Sequence, residues 1–314
     1  MRSAPIPRPI CVCVPARNEA ERLPRLLRAL AAQDWPDVLP VVIALNNTTD
    51  GSRETVERLA RDLVGTLAIH VDERTFPPES AHAGSARRRA AEIGMEILGG
   101  DERGVLLTTD ADARPPADWA RRNVEAIGRG VDLVGGALVL DDEEPVSPHV
   151  RSRWDALAAY WRAVRAIEDA IDPVPWDPPP RHGDHTGASL AATVEACRAV
   201  GGFPAVPLGE DAAFATAART KGFRLAHPAD VWTRVSARIE ARAVGGMAAT
   251  MRGLAQGEAA AMSVPSLEQW RSRAVWRRGI RLSGGDPAVA TLESELPPIT
   301  CDVVVAPPSP EVAA

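Results

Sequence analysis

Lysine is all but missing from this chain: Lys221 is the single one among 36 basic residues, and arginine supplies the rest. That imbalance reads as a genomic bias more than a binding adaptation. The 42 acidic residues leave a net charge of −6, which argues against nucleic acid as the main partner. Long hydrophobic runs are missing too. No window supplies the roughly 20 apolar residues of a membrane span, and Met1 to Pro9 carries prolines where a signal peptide needs an apolar core. The expectation is a soluble, cytoplasmic protein. Cysteine is scarce: Cys11 and Cys13 share one apolar run, Cys197 and Cys301 lie far from them, and no paired metal spacing exists. Such usage fits a reducing compartment. Two phosphate cradles are also absent, since no Gly-x-Gly-x-x-Gly follows the first apolar run and no Gly-x-x-x-x-Gly-Lys-Ser/Thr occurs anywhere. There is no internal repeat.

What is present is a chain of 314 residues, 45% hydrophobic, enough to bury a sizeable core. Short apolar runs alternate with longer amphipathic ones. The pairs are Ile10–Val14 with Ala20–Ala32, Val41–Leu45 with Ser52–Val64, Leu67–Val71 with Ala86–Leu98, and Val105–Thr109 with Ala117–Ile127; Leu133–Leu140 follows as one further strand. This is the pattern of βαβ units and a mostly parallel sheet. Right-handed crossovers bring the loops after these strands to one edge, where α/β sheets bind ligands. Three of those loops are polar: Pro15-Ala16-Arg17-Asn18-Glu19, Asn46 to Ser52, and Asp110-Ala111-Asp112. Two carboxylates one residue apart supply hard oxygen ligands for Mg²⁺ or Mn²⁺ bridging a diphosphate, although Asp is also common in plain turns.

Together the loops Val14 to Glu19, Asn46 to Ser52 and Thr109-Asp110-Ala111-Asp112 resemble family 2 glycosyltransferases of the GT-A fold. The resemblance continues through Gly187-Ala188-Ser189-Leu190, Gly201-Gly202-Phe203-Pro204 and Leu208-Gly209-Glu210-Asp211, and covers roughly Ile10 to Trp232. It implies a single GT-A domain over residues 1–282, with a nucleotide-sugar half at about 10–140, an acceptor half at about 141–240 and C-terminal helices at about 243–282. Residues 283–314, rich in Pro, Gly and small side chains, are expected to form a loosely ordered tail.

The implied activity moves one sugar from a nucleotide-diphosphate sugar of UDP or GDP type to an acceptor hydroxyl, with inversion and with Mn²⁺ or Mg²⁺. Pro15, Ala16, Arg17, Asn18 and Glu19 would line the nucleotide pocket with Asn46 and Asn47. Asp110, Ala111 and Asp112 would hold ribose and metal, and the Glu210-Asp211 pair would supply the base through Asp211. Many members carry paired aspartates where this chain has Asn46-Asn47; an asparagine donates as well as accepts, which opens the choice of base. Alternatively the two asparagines only shape a turn. The processive Gln-x-x-Arg-Trp signature is absent, which favours single transfer.

Further candidates surround this set. Arg87 opens the helix before the Asp-x-Asp strand and is expected to face the diphosphate. His227 would complete a metal shell or be an ordinary loop histidine. Arg238 and Arg242 form a basic flap suited to phosphates, and His185 falls in the acceptor region. Trp154, Tyr160, Trp161 and Trp176 suit sugar stacking or a core stripe, and the proline run 172–180 is a candidate lid. The basic segment 269–278 is expected to pack with its arginines outward, peripheral membrane contact being the alternative. The acceptor is a small molecule, a glycan or a lipid-linked group. A nucleotidyltransferase is the rival enzyme, but its Gly-rich first loop with a catalytic Lys is not Pro15–Glu19; an inactive nucleotide-sugar binder is the non-enzymatic rival.

Overall fold

The computed structural model describes residues 8–240, 246–285 and 288–306. Arg242 of the expected flap lies outside the described residues, as do residues 1–7 and 307–314.

A seven-stranded sheet organises the fold, in the order β3-β2-β1-β4-β7-β5-β8. Its first half is wound as the alternation predicts: β1 (Ile10–Ala16), α1 (Leu23–Ala31), β2 (Leu39–Asn46), α2 (Ser52–Asp62), β3 (Leu67–Arg74), α3 (Ala83–Ile97) and β4 (Val105–Thr108). All four of these strands are parallel. α4 (Trp119–Gly128) and β5 (Leu133–Gly135) follow. Alternate residues of β1 enter opposite cores. Val12 and Val14 join Leu26 of α1 and Ile127 of α4 on one face; Cys11 and Cys13 join Ala90 of α3 on the other. A sheet covered on both faces has continuous apolar strands, which is why the runs read so clearly.

Leu133–Leu140 is two strands, not one. β5 stays in the main sheet, while β6 (Ala137–Leu140) pairs with a later strand in a separate two-stranded ribbon. The break falls at Gly135-Gly136, because segment 184–189 crosses there at close range. A Cβ on Gly135 would stand 2.1 Å from the carbonyl of Asp184, and one on Gly136 2.0 Å from Oγ of Ser189.

After the long helix α5 (Pro148–Ile171), β7 (Leu190–Thr193) returns antiparallel between β4 and β5. α6 (Val194–Val200), α7 (Glu210–Thr220), β8 (Leu225–Ala226) and β9 (Trp232–Val235) complete this half, with β9 parallel to β6. α6 and α7 cover the same face as α3 through Cys197 and Phe214. Phe203 of the Gly-Gly-Phe-Pro motif stacks on Phe214 with centroids 4.2 Å apart, fixing the start of α7 against the sheet.

A third core of Leu140, Val150, Val235, Met251 and Leu254 joins β6, α5 and β9 to α8 (Gly246–Gln256). Next come β10 (Ser263–Val264), α9 (Leu267–Leu282), α10 (Val289–Ser294) and β11 (Val303–Val304). The tail is therefore not loose over residues 288–306. β11 pairs antiparallel with β10, Val289 of α10 is buried, and Val305 packs against the cluster around Met251. Nor do the arginines of α9 all face outward. Arg277 reaches Glu168 of α5 as well as Glu293 of α10, and Arg281 reaches Asp172 just beyond α5. With no clean apolar face, this helix is attached through ion pairs. No helix among the described residues is long and apolar enough to cross a membrane.

Candidate active site

The carboxyl ends of β1, β2 and β4 bring the three polar loops together. The first two are laced to each other. The Glu19 amide donates to Ser52 Oγ at 2.9 Å, the Ala20 amide to Asp50 Oδ2 at 3.0 Å, and the Thr49 amide to Asn18 Oδ1 at 2.8 Å. Pro15 and Ala16 end β1 in buried positions, and Arg17 reaches outward to the carbonyl of Ala81. Asn47 takes a left-handed φ of 49° and pairs both side-chain groups with the backbone of Phe76, so it shapes the turn. Asn46 differs. Its Nδ2 donates to the His82 carbonyl at 2.7 Å, while its buried Oδ1 has no hydrogen-bond partner, an acceptor left unsatisfied.

Thr108 and Thr109, just before the Asp-x-Asp, clamp the acceptor-side loop. Thr108 Oγ1 donates to the Gly187 carbonyl at 3.2 Å and Thr109 Oγ1 to that of Ala188 at 2.9 Å. Arg87 is buried among these groups, 4% exposed. It donates to Asp110 Oδ1 at 2.7 Å, to Glu210 Oε1 at 3.0 Å, to the Gly187 carbonyl at 2.9 Å and to Thr108. The structure thus commits Arg87 to protein partners and makes it a strut, where a diphosphate contact was expected. Burial opposes its charge, but Asp110 and Glu210 hold the guanidinium above its ordinary pKa.

Glu210 and Asp211 have separate situations. Glu210 is buried on Arg87. Asp211 is partly open, its Oδ2 accepting from the Gly187 amide at 2.7 Å and its Oδ1 from the Ala212 amide at 2.8 Å. Amides at a helix start orient the carboxylate without neutralising it.

Asp112 faces a cation supplied by the chain. Arg238, just beyond β9, lies 2.8 Å from Asp112 Oδ2 and 2.9 Å from Glu19 Oε1. Burial pushes Asp112 up to about 6 despite Arg238, and the charges of Asp110 and Glu19 add to the rise. Acidic oxygens that crowd and already gather a guanidinium are a donor set suited to a hard divalent ion.

His227 belongs to another network. Its Nδ1 donates to Asp177 Oδ2 at 2.8 Å, and its Nε2 lies 3.3 Å from His185 Nδ1. Among the described residues no group of three His, Cys, Asp or Glu side chains assembles to hold a metal. Asp177 anchors the proline run through this contact and through Arg181 at 3.3 Å, so the segment is pinned down and is not a free lid. Burial, reinforced by the His227 ring, presses His182 down to about 3 and His185 to about 4. Sequence reading missed this cluster because its members are brought together only by folding.

The profile of the Glycosyl transferase family 2 matches residues 11–184, more than half of the chain. The chain belongs to this family. Its fold is that of the solved GT-A enzymes. A mannosyltransferase from Pyrobaculum calidifontis, solved with GDP-Man and Mn²⁺, superposes with a TM-score of 0.52 at 22% identity, covering 93% of this chain and 81% of that one. S. aureus TarS with UDP-GlcNAc superposes at 0.50 and 14% identity, over 92% and 76%. Among curated relatives, glycosyltransferase AglE of Haloferax volcanii is 31% identical over 128 residues, 40% of this chain and 38% of its own length. Succinoglycan biosynthesis protein ExoA of Rhizobium meliloti is 32% identical over 128 residues, 40% and 35%. The chain thus spans well under half the length of the curated relatives it matches. In this member of family 2, Arg87 ties Asp110 of the Asp-x-Asp and Glu210 of the Glu-Asp pair into one ion-pair cluster.

Proposed function

We propose that this glycosyltransferase moves one sugar from a nucleoside diphosphate sugar to an acceptor hydroxyl with inversion, using Asp211 as base and Mg²⁺ or Mn²⁺ held by Asp110 and Asp112. The observation that carries this reading is the split between neighbours: Glu210 is sealed on Arg87, whereas Asp211 is aimed by the Gly187 amide and stays accessible. When bound, the cation would neutralise charge on the leaving diphosphate as a Lewis acid.

The chain's own residues do the rest. Asp211 takes the proton of the acceptor hydroxyl while that oxygen bonds to the anomeric carbon. The bond from that carbon to the diphosphate oxygen breaks, and its electron pair leaves with the nucleoside diphosphate. A single displacement assisted by one carboxylate inverts the centre. Arg238, which stands on Asp112 and Glu19, is the flap residue that would contact the diphosphate were a bound cation to take its place on Asp112. Pro15 to Glu19 with Asn47 shape the nucleoside pocket, and the free Oδ1 of Asn46 accepts from the imide N–H of uracil or N1–H of guanine. The donors in the solved relatives, GDP-Man and UDP-GlcNAc, are of these two types. His227 stays with its histidine network.

Thermal shift against UDP, GDP, CDP and dTDP, each with Mn²⁺, Mg²⁺ or EDTA, tests the donor site, since a ligand of the native state raises apparent stability. A cation-dependent shift for UDP or GDP is expected. No shift with any of the four would remove the donor assignment.

A further inference from the structure

Behind His185 opens a cavity of about 300 Å³ between α5, α7, α9 and the loop 172–185, outside the nucleotide pocket. Six arginines line it against three carboxylates. Those carboxylates are oversubscribed: Glu168 alone takes Arg165, Arg181 and Arg277 at 2.8, 3.4 and 2.5 Å, and Asp172 is shared by Arg277 and Arg281. Nε of Arg165 is buried without a hydrogen-bond partner. Arg219, on α7, keeps 39% of its side chain exposed and has Glu293 only at 3.8 Å. No carboxylate pairs with the guanidinium of Arg224 among the described residues; it lies over the face of Trp176 at 5.1 Å. Burial and the neighbouring Arg181 and Arg277 lower the pKa of Arg165. Asp169 and Glu293 give Arg181 and Arg277 further carboxylates at 2.6 and 3.1 Å, so the thinly paired guanidinium groups are those of Arg219 and Arg224, and guanidinium forks are shaped for bidentate phosphate contacts.

The cavity adjoins the proposed base. His185 lines it, and two residues later the Gly187 amide holds Asp211. Arg219 lies on the helix that Asp211 opens, eight residues on, or about 12 Å along its axis. The histidine network also sets a direction. Nδ1 of His185 lies 3.1 Å from the Gly183 carbonyl, which can only accept, and 3.3 Å from Nε2 of His227, so the His185 proton sits on Nδ1. Nε2 of His185 is then an acceptor for a hydroxyl.

We infer that this cavity takes the acceptor and that the acceptor carries a phosphate ester, bound by Arg219 and Arg224 beside Trp176 while its hydroxyl reaches His185 and Asp211. The inference rests on the transferase reading and deepens it. The full-length protein is titrated calorimetrically with glucose 6-phosphate, glucose and pyrophosphate, with UDP and Mn²⁺ as a separate arm. Flotation with phosphatidylcholine vesicles with and without phosphatidic acid separates a lipid headgroup from a soluble ester. Glucose 6-phosphate and pyrophosphate, or the phosphatidic acid vesicles, are expected to bind. That binding should fall about tenfold or more in Arg224→Ala and in Arg219→Gln, neither of which touches the UDP arm. Binding of the soluble ester assigns a sugar phosphate, and binding of the acidic vesicles alone assigns a lipid phosphate; both support the inference. Phosphate ligands that bind no better than glucose, or equally well to both variants, overturn it. If UDP and the other nucleotides also fail to bind, the donor assignment falls separately.

Discussion

The guanidinium of Arg238 bridges Asp112 and Glu19, with Nη2 2.8 Å from one carboxylate and 2.9 Å from the other. One positive group thus occupies the acidic corner where the proposed mechanism needs a divalent ion. Arg238→Gln leaves two crowded carboxylates without their partner. In EDTA the variant is expected to melt below the native protein. Mn²⁺ should then raise its Tm more than it raises that of the native protein, because the ion no longer displaces an internal cation. Equal Mn²⁺ shifts in the two proteins would refute competition between Arg238 and the metal.

The two aspartates should separate kinetically. Asp211→Asn keeps one of the two amide contacts through its carbonyl oxygen and cannot take a proton, so kcat should fall by about 10²–10⁴ while UDP or GDP binding persists. Asp112→Asn should lose both turnover and the cation-dependent part of nucleotide binding. Full activity in either variant removes the role assigned to that residue.

Arg87 holds Asp110, Glu210 and Gly187 at once. Arg87→Met leaves the buried carboxylate of Glu210 without its counter-charge, at a cost of about 3–5 kcal/mol, read as a lowered urea midpoint. Gly187→Ala should act on the same strut, since a Cβ there would stand 2.2 Å from Cζ of Arg87. A Gly187→Ala protein with native stability and native kcat would contradict the strut.

Stability should also depend on pH through the histidines. His182 and His185 titrate at about 3 and 4 in the folded chain, against 6.5 for an ordinary histidine. Between those values the unfolded chain binds more protons, so this contribution is complete above pH 6.5 and is lost as pH falls toward 4. Urea midpoints measured across that window should drop steeply for the native protein and less steeply for His185→Gln. Identical slopes would show that His185 is not the group responsible.

The parallel half of the sheet was legible because its strands are buried on both faces and read as unbroken apolar runs, Cys11 and Cys13 included. Asp110 and Asp112 were legible for a related reason: carboxylates directly after such a run fall at the sheet edge where ligands sit. Leu133–Leu140 misled because apolar periodicity says nothing of the distant segment 184–189 crossing at Gly135-Gly136. The arginines of α9 misled because charge on a helix reads as solvated until the carboxylates opposite, Glu168 and Asp172 from 109 residues earlier, are known.

The sequence by itself determined the alternation of elements, the order of the polar loops and the family, since these depend on local periodicity and on residues adjacent in the chain. Only the tertiary structure decided that Arg87 is a strut, that Arg238 stands on Asp112, that Asp211 is open where Glu210 is sealed, and that His227 turns to Asp177. Each of those outcomes is a choice among ionic partners 23 to 219 residues apart, and charge pairing, unlike hydrophobic periodicity, leaves no repeat along the chain to read.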